Sequence, residues 1–185
     1  MPEISLRPHT STPCPWISAI TARVDWLSDD LLVFYYQIEG DIDRLQLPAQ
    51  QRSAHTDGLW RRTCFEAFVR PRGVRNYFEF NFSPSSEWAV YRFEDYRRSM
   101  QSIECAHPPK IICRRREGEL DADVDVHLGA LDIPPHGELQ MALAAVLEDQ
   151  QGAISYWALA HPEGKPDFHH EAGFTLTLPR TAGVK

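Results

Sequence analysis

A chain of 185 residues with 43% hydrophobic, 11% aromatic and 24% charged side chains has enough apolar surface for one packed core, which excludes wholesale disorder. A single domain spanning residues 1–185 is expected. The formal net charge of −7 repels phosphate backbones, so nucleic acid is not an expected partner.

No apolar run approaches the ~18 residues of a membrane span. Residues 1–15 carry prolines and polar side chains where a secretory leader needs an apolar stretch. A cytoplasmic protein with no membrane partner is expected. Cys14, Cys64, Cys105 and Cys113 are scattered with no C-x-x-C pair, which predicts free thiols rather than a disulfide framework or a structural zinc site.

Period-two alternation, the mark of a strand with one buried face, recurs along the chain. Residues 21–26 place Ala22, Val24 and Trp26 on one side and Thr21, Arg23 and Asp25 on the other. They are expected to form a hairpin with residues 31–38, a run rich in β-favouring side chains closed by Glu39-Gly40-Asp41. Residues 43–57 read as a long loop. Residues 64–69 and 77–82 follow as strands, the second with Phe78, Phe80 and Phe82 facing one way and Tyr77, Glu79 and Asn81 the other. A short helical turn is expected within residues 93–100.

The basic run Arg114-Arg115-Arg116 stands before Glu117-Gly118-Glu119 and reads as a charged hairpin end. Residues 120–128 alternate Leu120, Ala122, Val124, Val126 and Leu128 with Asp121, Asp123, Asp125 and His127. This predicts an acidic face in water that also discourages edge aggregation. Residues 139–147 and 154–160 form a further expected hairpin. The prolines fall mostly in connections, where a missing N–H is tolerated. Roughly nine or ten short strands separated by turns predict an all-β fold, a two-sheet antiparallel β-sandwich.

Chemistry concentrates between Asp57 and Tyr96. The Tyr77, Glu79, Asn81 row is either the polar face of a half-exposed strand or a set of hydrogen-bonding groups for hydroxyls. Trp60, Trp88 and Tyr91 nearby supply flat aromatic faces of the kind a sugar ring stacks on, although each also suits a core. Glu66 and Glu79 form a carboxylate pair of the glycosidase type if they share a face. The stretch from His161 to His170 is a polar, turn-rich loop bearing Lys165, Asp167 and His169. His161, Asp167 and His169 match no standard metal spacing, and turn-stabilising hydrogen bonds are the simpler expectation, so no metal site is predicted. Phosphate-loop, dinucleotide-turn and nucleophile-elbow patterns are missing, and no catalytic residue is assigned.

Asp57-Gly58-Leu59-Trp60 through Phe68, Glu79-Phe80-Asn81-Phe82-Ser83-Pro84 with Trp88 and Tyr91, and Gly164-Lys165-Pro166-Asp167-Phe168-His169 followed by Phe174 resemble the bacterial DOMON-like proteins. That superfamily also contains family 9 carbohydrate-binding modules and haem-binding DOMON domains. The resemblance implies a β-sandwich and a non-catalytic site for a carbohydrate or similar polyhydroxylated small molecule. In such a site Trp60 and Trp88 would flank the ligand, with Arg62, Glu66, Tyr77, Glu79, Asn81, Tyr91, Lys165, Asp167 and His169 around it. The alternative it implies is a haem protein, with Met100 and His161 or His169 as axial ligands. A hydrolase using Glu66 or Glu79 stands third.

Overall fold

The computed structural model describes residues 2–129, 131, 133–134 and 137–180. Twelve strands account for its regular structure, with three single 3₁₀ turns and no α-helix among the described residues. No helix there is long and apolar enough to cross a membrane.

The alternating segments form their strands because each has an apolar face to bury. β2 (Ile17–Trp26) and β3 (Leu31–Gly40) make the first hairpin, and β9 (Glu119–His127) adds to the far side of β3. In β9 the residues Leu120, Ala122, Val124 and Val126 are buried, in strict alternation with the acids. β8 (Lys110–Arg116) lies outside β9 as an edge strand. The acidic face of β9 is therefore not simply solvated. Arg116 bonds Asp121 at 2.6 Å and Arg114 pairs with Asp123, so the arginine run neutralises the aspartates across the ladder while charging an otherwise open edge.

The other half of the sheet is built on β4 (Cys64–Pro71), β5 (Tyr77–Phe82) and β6 (Trp88–Phe93), with the short β7 (Gln101–Ser102) at its edge. β10 (Glu138–Glu148) pairs with β4 on one side. Its other side is shared by β11 (Ile154–Ala158) and β12 (Leu176–Pro179). β1 (Ile4–Pro8) joins the halves, pairing through Ile4–Leu6 with β2 and through Arg7 and Pro8 with β11. All pairings between named strands are antiparallel, and the order β7-β6-β5-β4-β10-β11-β1-β2-β3-β9-β8 is continuous. The result is one curled antiparallel sheet, compatible with the two-sheet arrangement that alternation predicts.

Curling brings the inner faces together. Phe34 of β3 meets Phe82 of β5 at 5.8 Å between ring centroids, and Tyr36 meets Phe65 at 4.9 Å. The Tyr36 hydroxyl donates to the Glu66 carbonyl at 2.8 Å, satisfying a buried polar group at the centre of the core. Residues 94–100 are a hairpin turn rather than helical. The Arg98 N–H bonds the Asp95 carbonyl and the Glu94 N–H bonds the Arg98 carbonyl, while Arg97 and Ser99 have φ of 52° and 55°, values incompatible with a continuing right-handed helix.

Gly40 closes β3 opposite Ile17, beside a register shift in β2. Its φ of +144° and the space around it both demand glycine, because a Cβ would sit 2.8 Å from Ile17 Cα and closer still to the Trp16 carbonyl. Gly40→Ala is expected to destabilise the protein by about 2–3 kcal/mol, measured by urea denaturation. An unchanged midpoint would show that the backbone can relax there.

Candidate ligand-binding site

β4 and β5 are buried on both faces. Their inner face carries Phe65, Ala67, Phe78, Phe80 and Phe82 into the core, while Glu66, Phe68, Tyr77, Glu79 and Asn81 point the opposite way. A half-exposed polar face was one expectation for this row. Instead, the chain covers it with the loop between β11 and β12, the turn after β6 and the segment holding Trp60. A second apolar cluster of Phe68, Tyr77, Ala89, Tyr91, Phe93, Ala142 and Phe174 seals one part of the covered face. Elsewhere a cavity of about 510 Å³ remains, within the ~300–1,000 Å³ typical of small-molecule sites.

Trp60, Phe93, Tyr156 and Phe168 wall this cavity, with Val146, Pro166 and Met100 beside them and Arg97, Lys165 and His169 as further lining groups. Glu66 and Glu79 also line it. Because Glu66 pairs in register with Asn81, Glu79 is its diagonal neighbour on the same face. The two carboxyls are 3% and 5% exposed. Asn81 donates its amide to Glu79 Oε1 at 2.8 Å, but Glu66 Oε1 has no hydrogen-bond partner. Burial, with Glu79 as a second cause, holds the Glu66 carboxyl well above the usual range. Burial also pushes Glu79 to about 7. Near neutral pH the pair retains a proton.

His169 supports the pair from the loop. Its Nδ1 lies 2.7 Å from the Tyr77 hydroxyl, which itself accepts the Arg97 backbone N–H at 3.2 Å. The other ring nitrogen, Nε2, lies 3.6 Å from Glu79 Oε2. Burial, assisted by the Arg97 charge, brings His169 down to about 4, so the ring is neutral. Asp167 fixes the loop against the turn, accepting from Arg97 at 2.7 Å, from the Tyr96 hydroxyl, and from the His169 N–H at 3.1 Å.

Of the residues expected at a site, Trp60, Glu66, Glu79, Lys165 and His169 line the cavity. Tyr77, Asn81 and Asp167 stand behind them as hydrogen-bonding supports. Tyr91 lies edge-on to Trp60 at 5.7 Å and donates to Asp57 at 2.7 Å. Trp88 lies elsewhere: in register with Phe82, it faces the core, so it does not oppose Trp60. Arg62 points away and meets Glu148 at 3.4 Å.

Phe93, Arg97, Val146, Tyr156, Pro166 and Phe168 were not anticipated as lining groups. Phe168 lay within a motif already singled out, but nothing in the alternation of the strands marks Val146 or Tyr156. Cys64 is buried beside Asn81, its thiol raised chiefly by burial and so protonated, which does not suit a nucleophile.

Among the described residues no group of three His, Cys, Asp or Glu side chains is arranged to hold a metal ion. His161 bonds the Arg7 carbonyl at 2.8 Å, away from His169. Met100 and His169 share the cavity, yet both His169 nitrogens face protein groups, Tyr77 and Glu79. The residues present do not fit an axial pair for a haem iron.

Comparison with family models and with curated proteins finds no match. Among solved structures, the chain is similar to a candidate carbohydrate-binding protein from Bacteroides uniformis, with a TM-score of 0.66, 16% identity, and coverage of 97% of this chain and 86% of that one. It is also similar to a family 9 carbohydrate-binding module from Caldicellulosiruptor kristjanssonii in complex with cellotriose, with a TM-score of 0.50, 12% identity, and coverage of 88% and 74%. At these identities the likeness concerns architecture: the chain has a fold like that of the family 9 carbohydrate-binding modules.

Proposed function

We propose that this chain is a non-catalytic binding module for a carbohydrate or a similar polyhydroxylated small molecule, on a two-sheet sandwich of the DOMON-like type. The observation that carries the reading is a cavity with aromatic walls that Glu66 and Glu79 also line, one Glu66 carboxyl oxygen being buried without a partner. A sugar ring offers both complements, apolar C–H faces for Trp60, Tyr156 and Phe168 and hydroxyl edges for Glu66 and Glu79. Lys165 and His169 complete the contacts, while Tyr77, Asn81, Tyr91 and Asp167 hold the contacting groups in place. The fold neighbour in complex with cellotriose supports the choice of ligand class.

The test is calorimetric titration with mono- and oligosaccharides. Binding is expected, and Trp60→Ala is expected to weaken it about 10–100-fold with the melting temperature kept within a few degrees, since a stacking aromatic contributes about 1–3 kcal/mol. A panel that binds nowhere, or a Trp60→Ala variant that binds like the parent, would overturn the assignment. The same two carboxyls meet the residue requirement of a glycoside hydrolase. Release of reducing ends from an added oligosaccharide, abolished by Glu79→Gln, would replace the binding reading with a catalytic one.

A further inference from the structure

The cavity holds two acids, and among the described residues neither cation of its lining, Arg97 or Lys165, forms a salt bridge with them. Glu66 and Glu79 are diagonal neighbours on one face, both line the cavity while more than nine-tenths buried, and Glu66 Oε1 is buried with no hydrogen-bond partner. The Arg97 charge lowers both carboxyls without outweighing their burial. The Arg97 guanidinium is held by Asp167. His169 is neutral, its Nδ1 occupied by Tyr77. Tyr36, Cys64, Tyr77 and Tyr91, which surround the pair from β3, β4, β5 and β6, are all raised by burial and stay protonated. Lys165 is exposed at the mouth.

A ligand offering hydroxyls alone would leave the paired acids sharing a proton. A ligand carrying an ammonium would let both ionise, converting neutral hydrogen bonds into charge-assisted ones in a site shielded from water. The aromatic walls favour a cation as well, through the negative faces of Trp60, Tyr156 and Phe168. We infer that the cavity takes an amino sugar, with the free amino group seated between the Glu66 and Glu79 carboxyls and the ring against the aromatic walls. This inference rests on the carbohydrate reading and narrows it to one ligand class.

Seating a cation also has a proton consequence. Glu79 sits near 7 and Glu66 above the carboxylate range in the free protein, so binding an ammonium below neutral pH must expel a proton from the pair.

The experiment is calorimetric titration of the whole chain with glucosamine, N-acetylglucosamine and glucose at about pH 6.5, where the free amine is protonated. Each titration is run in two buffers of different ionisation enthalpy. Glucosamine is expected to bind at least about ten-fold more tightly than either neutral sugar, and its heat alone should depend on the buffer, reporting proton release. Glu66→Gln should bring the glucosamine-to-glucose ratio towards one, with circular dichroism verifying the fold.

Glucose or N-acetylglucosamine binding as tightly as glucosamine, or a glucosamine heat independent of buffer, overturns the amino-sugar assignment and leaves the carbohydrate reading standing. Silence from all three sugars and from the oligosaccharide panel overturns both.

Discussion

Replacing Glu79 with glutamine is expected to stabilise the protein at alkaline pH by about 2–3 kcal/mol, although it alters a residue of the proposed site. The carboxyl moves from 4.5 to about 7 on folding. Below 4.5 both states hold the proton and nothing is lost. Between 4.5 and 7 the folded state keeps a proton that the unfolded chain has released, so stability falls as pH rises. Above 7 the loss is complete, and a displacement of this size corresponds to about 3 kcal/mol. The glutamine amide oxygen can still accept from Asn81, so the hydrogen bond to β5 is retained.

His169 acts in the opposite direction. Its folded value near 4 lies below the ordinary 6.5, so its contribution is present above 6.5 and is lost as pH falls towards 4. The two effects offset each other between 4.5 and 6.5. Above 6.5 the carboxyls act alone, and the parent protein should lose stability towards pH 8 and beyond, with Glu66 extending the decline. Urea denaturation at acid, neutral and alkaline pH measures this directly. A Glu79→Gln variant less stable than the parent at pH 8 would contradict the burial account of the pair.

Phe80→Ala is expected to cost about 3–5 kcal/mol, the usual range for emptying a buried aromatic site. Phe80 is fully buried in the middle of β5, with Phe78 and Phe82 at 6.5 and 6.2 Å on either side. The curled sheet closes over that row from β3, where Phe34 meets Phe82, which leaves little freedom to collapse into the cavity created. A loss this large is a major part of the ~5–15 kcal/mol available to a domain. The denaturation midpoint should drop accordingly, and a shift worth under about 1 kcal/mol would mean the core is looser than its packing indicates.

Asp167 and Tyr77 stand behind the cavity rather than in its lining. Tyr77 hydrogen-bonds His169 Nδ1, and Asp167 joins the loop to the turn carrying Arg97. Their side chains place others, so the cavity depends on a hydrogen-bonded frame as much as on its walls.

Strand identity was legible locally because the side-chain period of two is local. The alternation in residues 120–128, the triple phenylalanine of β5 and the hairpin around Gly152 each announced a strand, and each is one. β7 and β12, of two and four residues, are too short to display a period, and the alternation gave no strand at β1. β8 escaped because an edge strand with only Ile111 buried has almost no apolar face.

Within the site, the choice of face was legible for Glu79 and Asn81 but not for Trp88. One register position carries its ring into the core, and only the pairing with Phe82 decides that. The amino-acid sequence by itself determined which residues are strands and which side of β5 is apolar. The tertiary structure alone decided that the polar side is roofed, that Glu66 and Glu79 share it, and that His169 meets Tyr77 from 92 residues away. Those facts depend on strand register and on loop closure across the whole chain, and neither leaves a trace in the periodicity of any one segment.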